Sequence, residues 1–80
     1  MGYFMTKELQ ENIGQLCKEY RLKHINMTLK DFALFYNDSD KNIWAFENGK
    51  ANNVKYLFYY YKLLDDSKRI SFSKKLFNIL

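Results

Sequence analysis

The segment Thr28–Gly49, TLKDFALFYNDSDKNIWAFENG, constrains this chain more than any other. Two short apolar patterns flank Tyr36, Asn37, Asp38 and Ser39. In the first, Leu29, Phe32, Ala33 and Tyr36 fall at i, i+3, i+4 and i+7. In the second, Ile43, Phe46 and Glu47 share one side. Both are helical periods. Each piece is too short to be stable alone, so each must pack on something else. The hydroxyls of Thr28 and Ser39 can accept from the free N–H groups of a first turn. Gly49 follows Asn48 where a left-handed residue ends a helix. The expected unit is a helix, a turn and a second helix that is held away from the core for contact with something else.

The flanking sequence is also helical in period. Residues 7–24 read as helix 1, with a stripe of Leu9, Ile13, Leu16 and Tyr20 and with Cys17 beside it. Thr6 is its candidate cap, Glu8 lies in the first turn, and Lys18, Arg21 and Lys23 lie towards its end, as the helix dipole favours. His24–Met27 connects to helix 2, about Leu29–Tyr36, with Met27 tucked inward ahead of Thr28. Ala33 provides the small side chain needed where helices 2 and 3 approach. Asn37 suits a left-handed turn position. Asp38 is expected to cap or to stay solvated, with a looser turn. Helix 3 is about Asp40–Asn48. Ile43, Phe46 and Glu47 face inward on it, and Lys41, Trp44, Ala45 and Asn48 face outward, with Asp40 and Asn42 on the borders. Glu47 is expected to bond to backbone or to a basic group inside the domain.

After the polar loop Gly49–Asn53, helix 4 runs about Val54–Leu64. Its expected inner face is Val54, Leu57, Phe58, Tyr61 and Leu64. Its expected outer face is Tyr56, Tyr59, Tyr60 and Leu63, also apolar or amphipathic. A helix apolar nearly all round is covered on both sides, by the C-terminal segment or by a second subunit. Asp65, Asp66 and Ser67 break the pattern and can cap a fifth helix that starts between Ser67 and Ser73. The alternation Ile70-Ser71-Phe72-Ser73 also permits a short extended piece. Leu76, Phe77, Ile79 and Leu80 continue the apolar series.

Eighty residues make one domain, with a core about 7–66 and a C-terminal helical segment 67–80. A domain this small buries only about 60–65% of its unfolded surface. An aromatic content of 19% compensates with large buried side chains. The absence of proline, with only three glycines, favours helices over a tight-turned sandwich. A net charge of +4 suits a polyanion without identifying one. Lone Cys17 has no internal partner, which fits a reducing cytoplasm and a small core residue. His24 has no metal-ligand spacing around it. Met1–Thr6 lacks the pattern of a signal peptide, and Met5 is an alternative start that would leave Gly2–Phe4 as an extension. No run reaches the roughly 18 apolar residues of a membrane span. The abundance of Lys, Asn, Tyr, Phe and Ile suggests an AT-rich genome.

Thr28, Phe32-Ala33, Ser39, Ile43 and Glu47-Asn48-Gly49 fall without a gap on a known pattern. It resembles that of the lambda-repressor-like helix-turn-helix family, also called Cro-like or XRE-type, and the likeness extends more loosely over about residues 9–65. The resemblance implies an all-α, five-helix domain and DNA binding through helix 3 in the major groove. Asp40, Lys41, Asn42, Trp44 and Ala45 match family positions that approach base edges. Lys41 suits guanine acceptors, Asn42 suits adenine, and Asp40 suits cytosine N4. Thr28, Lys30, Asn48, Lys50, Asn52 and Lys55 are candidates for phosphates. Each lysine is, taken alone, also an ordinary solvated charge. Four residues depart from the family. Asp38 replaces a small apolar residue, Leu29 replaces a polar phosphate-contacting one, and Asp40 and Trp44 stand where Arg, Gln, Ser or Thr are usual.

Two functions follow. The first is a small DNA-binding transcriptional regulator from a phage or mobile element, with double-stranded DNA as partner. The second is a protein-binding module on the same scaffold, an antirepressor or inhibitor that uses Trp44 and the Tyr56, Tyr59 and Tyr60 surface. A homodimer through Tyr56, Tyr59, Tyr60 and Leu63 with the C-terminal segment is expected, and on DNA it would prefer half-sites about 34 Å apart. There is no Gly-rich phosphate loop, no Cys/His metal spacing and no nucleophile with a partnered base. Asp65-Asp66 sits at a helix boundary, where capping explains it. No catalysis, cofactor, metal or small-molecule substrate is therefore expected.

Overall fold

The structure, a computed structural model, describes residues 6–79. The alternative start at Met5, the Gly2–Phe4 extension and the terminal Leu80 lie outside the described residues. Among the described residues are five helices and no strand: α1 (Lys7–Tyr20), α2 (Leu29–Phe35), α3 (Asp40–Glu47), α4 (Lys55–Lys62) and α5 (Asp66–Ile79). None is long and apolar enough to cross a membrane.

Helix α1 is the central beam. The Thr6 hydroxyl accepts from Leu9 N at 3.1 Å and so satisfies one free donor of the first turn. Ile13, Leu16, Cys17 and Tyr20 are buried along one stripe. The α-helix ends sooner than its periodicity predicts. Arg21–Ile25 form one wider π-helical turn, closed by Asn26 in the left-handed region at φ 60°. Arg21 is buried there and donates from Nη1 to the Met27 carbonyl at 2.9 Å, which holds the exit loop against the helix. Met27 is half-buried against the core, ahead of Thr28.

The unit formed by α2, residues 36–39 and α3 is built by local chemistry. Thr28 Oγ1 accepts from Asp31 N at 3.1 Å, and Ser39 Oγ accepts from Lys41 N at 3.2 Å. Helix α2 closes when Asn37 turns left-handed at φ 53°. Asn37 N then donates to Leu34 O, and Asp38 N to Ala33 O. This is the paired closure of a Schellman motif. Gly49, at φ 73°, ends α3 the same way, with Lys50 N donating to Ala45 O. Phe32, Ala33, Ile43 and Phe46 are buried. Gly14 of α1 is buried against the last turn of α3. A Cβ added there would lie 2.5 Å from the carbonyl oxygens of both Phe46 and Glu47.

Helix α4 is rotated from the expected register. Tyr56, Tyr60 and Leu64 are buried, and Tyr59 and Leu63 pack half-buried beside them. The predicted inner residues Val54 and Phe58 are instead 58% and 54% exposed, and Tyr61 is exposed as well; of that set only Leu64 is buried and Leu57 half-buried. Four tyrosines and five aliphatic or aromatic neighbours made both faces apolar, so periodicity alone did not select one. The selection comes from ring packing and from two hydroxyls that find internal acceptors. Phe32 lies 4.5 Å from Tyr60 between ring centroids, and Phe46 lies 5.6 Å from Tyr56.

Helix α5 begins at Asp66, and the Ile70–Ser73 stretch is helical rather than extended. Asp65 caps it, accepting from Lys68 N at 2.9 Å. Phe72, Leu76 and Ile79 pack on the core at helical spacing, which overrides the four-residue alternation. The helix folds back along α1. Phe72 meets Tyr20 edge-on at 5.0 Å, the Tyr20 and Ser71 hydroxyls are hydrogen-bonded, and Lys75 lies 3.9 Å from Glu19. Arg69 donates to the carbonyls of Tyr61 and Lys62 and so tethers the end of α4.

Candidate functional site

Helix α3 is locked from behind and bare in front. Behind it, Glu47 accepts from Arg21 Nε at 2.8 Å and Nη2 at 3.0 Å, and from the Tyr60 hydroxyl at 2.9 Å. Arg21, Glu47 and Tyr60 are all buried. The sequence left Glu47 either backbone or a basic group as its partner; the structure gives a basic one, Arg21. A fork-shaped guanidinium matches the two carboxylate oxygens, and this fixes the α3 axis against α1. Hydrogen bonds to Glu47 hold the Arg21 guanidinium protonated beyond its usual range, against the desolvation of burial. Burial pushes the Tyr60 hydroxyl and the Cys17 thiol up, and the Glu47 charge adds to both.

The turn is locked by a second knot. Asp38 Oδ1 accepts from Ser39 N at 2.7 Å and from Asn42 Nδ2 at 3.0 Å, while Oδ2 accepts from the Tyr59 hydroxyl at 2.9 Å. The Tyr59 ring stacks on Tyr36 at 4.0 Å, and the Tyr36 hydroxyl donates to the Tyr59 carbonyl at 2.6 Å. Asp38 therefore does not loosen the turn. It ties α2, α3 and α4 together. Partial desolvation opposes its charge, but the hydrogen bonds from Asn42, Ser39 and Tyr59, with Lys55 nearby, outweigh it and hold its carboxyl below the ordinary value. A depressed folded value stabilises the fold above the unfolded pKa of about 3.9, and that contribution is lost as pH falls through the lower folded value. An Asp38→Asn variant is expected to show a flatter loss of thermal stability than wild type below about pH 4. Parallel melts across that range check it, and equal slopes would show that the knot carries no linkage.

In front, Leu29 at the start of α2 meets Asp40, Lys41, Trp44 and Ala45 of α3 around an open concavity of about 520 Å³. Trp44 is 49% exposed, so the helix-3 register predicted from Ile43 and Phe46 is the observed one. Asp40, Lys41 and Asn42 are exposed and Ala45 is half-buried. Asn42 differs from the other base-contact candidates. Its amide is drawn back to Asp38, away from the concavity. Leu29 opens the apolar stripe of helix 2 in the sequence and departs there from the family's polar residue; in the structure it is half-buried against the core and also forms part of the wall.

The phosphate candidates Thr28, Lys30, Asn48, Lys50, Asn52 and Lys55 are all exposed. Asn48 donates to the Trp44 carbonyl at 2.9 Å, and the Thr28 hydroxyl is occupied by its cap. Lys55 borders a different groove, with Tyr36, Phe58, Tyr59 and Lys62. The partner candidates on α4 require correction. Tyr56 and Tyr60 are buried within this one chain, and Tyr59 and Leu63 are half-buried against its core, where the Tyr59 and Tyr60 hydroxyls complete the two knots.

Comparison with family models, curated proteins and solved structures gives no match. Among the described residues, no group of three or more His, Cys, Asp or Glu side chains could hold a metal ion.

Proposed function

We propose that this chain is a lambda-repressor-like helix-turn-helix regulator that places α3 in the major groove of double-stranded DNA. One observation carries the reading. An eight-residue helix is braced internally by Arg21 and Tyr60 through Glu47, yet it presents Asp40, Lys41 and Trp44 outward beside the capped start of α2. Rigid bracing of a short surface helix suits recognition, because side chains reaching base edges must be held in register. Lys30 and Lys50 are exposed on α2 and on the loop after α3, and they supply charge for phosphates. The protein would act in the cytoplasm as a homodimer. With Tyr56 and Tyr60 committed to the core, the apolar side chains left for self-association include Val54, Phe58, Ile70 and Phe77.

The test uses Trp44, the only tryptophan. Its emission should be red-shifted and quenched by acrylamide in the free protein, and should change when a random-sequence duplex pool is added at low salt. Log affinity should fall linearly with log salt, by about 0.9 per phosphate neutralised. Lys30→Ala and Lys50→Ala should each lower that slope by about one. A Trp44 signal unmoved by DNA at low salt would remove the proposal.

The apolar wall of the concavity favours a second reading, in which the same face binds a protein. Trp and an exposed apolar patch are common interface anchors. A response to a protein that persists at high salt, with none to DNA, would select it.

A further inference from the structure

We propose that the concavity between α2 and α3 receives the C5-methyl groups of 5-methylpyrimidines, thymine above all, in the DNA major groove. This rests on the DNA-binding reading. The wall is made by Leu29, Trp44 and Ala45, and among the described residues only Asp40 and Lys41 are charged at its edge. A phosphate is a poor occupant, since the one cation there stands beside a carboxylate. A base edge with only hydrogen-bonding atoms is also poor, because Leu29 and Ala45 leave those atoms without partners. The C5-methyl is the apolar group a base pair displays in the major groove. The wall is drawn from two helices, and the Asp38 knot fixes their separation, so the concavity is preformed.

The probe is the tightest duplex recovered by the full-length protein from a random-sequence pool at low salt. Replacing its thymines one at a time with deoxyuridine removes a methyl and leaves every hydrogen-bonding group. At one or two positions the affinity should fall roughly fourfold per methyl. Trp44→Ala and, separately, Leu29→Ala should shrink that difference to under about twofold while leaving the salt slope unchanged, because neither residue pairs with phosphate. At the same positions 5-methylcytosine should bind more tightly than cytosine. Its rank against thymine then shows which methylpyrimidine the site takes. A recovered duplex that binds equally well with uracil at every position overturns the proposal and leaves the DNA reading standing. Failure to recover any duplex ends both.

Discussion

Glu47→Ala is expected to lower the urea midpoint of the domain severely. The substitution strands the Arg21 guanidinium in a dry site and removes the acceptor of the Tyr60 hydroxyl. Breaking one side of a buried ion pair costs about 3–5 kcal/mol. An 80-residue domain has on the order of 4–12 kcal/mol in total. The loss is therefore a large share of what holds the fold. The pair need not be a net source of stability, since two charges were desolvated to form it. Replacing all three members by apolar groups, Arg21→Met with Glu47→Leu and Tyr60→Phe, should recover most of the loss in a urea melt. If the single variant melts like wild type, the buried network is not as described. If the triple variant is as unstable as the single one, the ion pair itself is a strong net stabiliser.

Gly14→Ala is expected to destabilise the domain by about 2 kcal/mol, and the sign is the informative part. Gly14 lies within α1, where alanine is ordinarily better by about 0.5–1 kcal/mol. Helix propensity therefore predicts a gain. Against it, the new Cβ would stand 2.5 Å from two carbonyl oxygens of α3, which are backbone and cannot rotate away. Overpacking costs about 1–3 kcal/mol, and a backbone obstacle places this case at the upper end. Gln15→Ala, exposed one position along, serves as the control and should be near neutral. A higher melting temperature for Gly14→Ala than for wild type would mean that α1 and α3 do not approach at this point. Because Gly14 meets Phe46 and Glu47 in the last turn of α3, a mild form of the defect should also shift the helix that carries Trp44 and weaken any binding there.

The α2–turn–α3 unit was legible because its determinants are local. Thr28 and Ser39 cap within three residues, Asn37 and Gly49 tolerate positive φ, and Ile43 with Phe46 sets which way Trp44 points. Each of these is decided by groups less than one or two turns apart, so residue type and spacing suffice. The outward face of α3 followed from the same periodicity.

Helix α4 was misread because its sequence is apolar on both sides, so period alone leaves the rotation undetermined. Tertiary structure decided it, through the Tyr60 hydroxyl reaching Glu47 and the Tyr59 hydroxyl reaching Asp38, contacts 13 and 21 residues apart. The same holds for Arg21 as the partner of Glu47, 26 residues away, and for Gly14 beneath Phe46. Leu29 was legible as an apolar residue of helix 2, but that it makes one apolar wall with Trp44 and Ala45 depends on α3 lying beside it. What the sequence determined alone was therefore where helices start, stop and turn, because caps and φ preferences act over a few residues. What only the tertiary structure decided was which apolar face turns inward and which distant groups meet, because those depend on packing that no local pattern encodes.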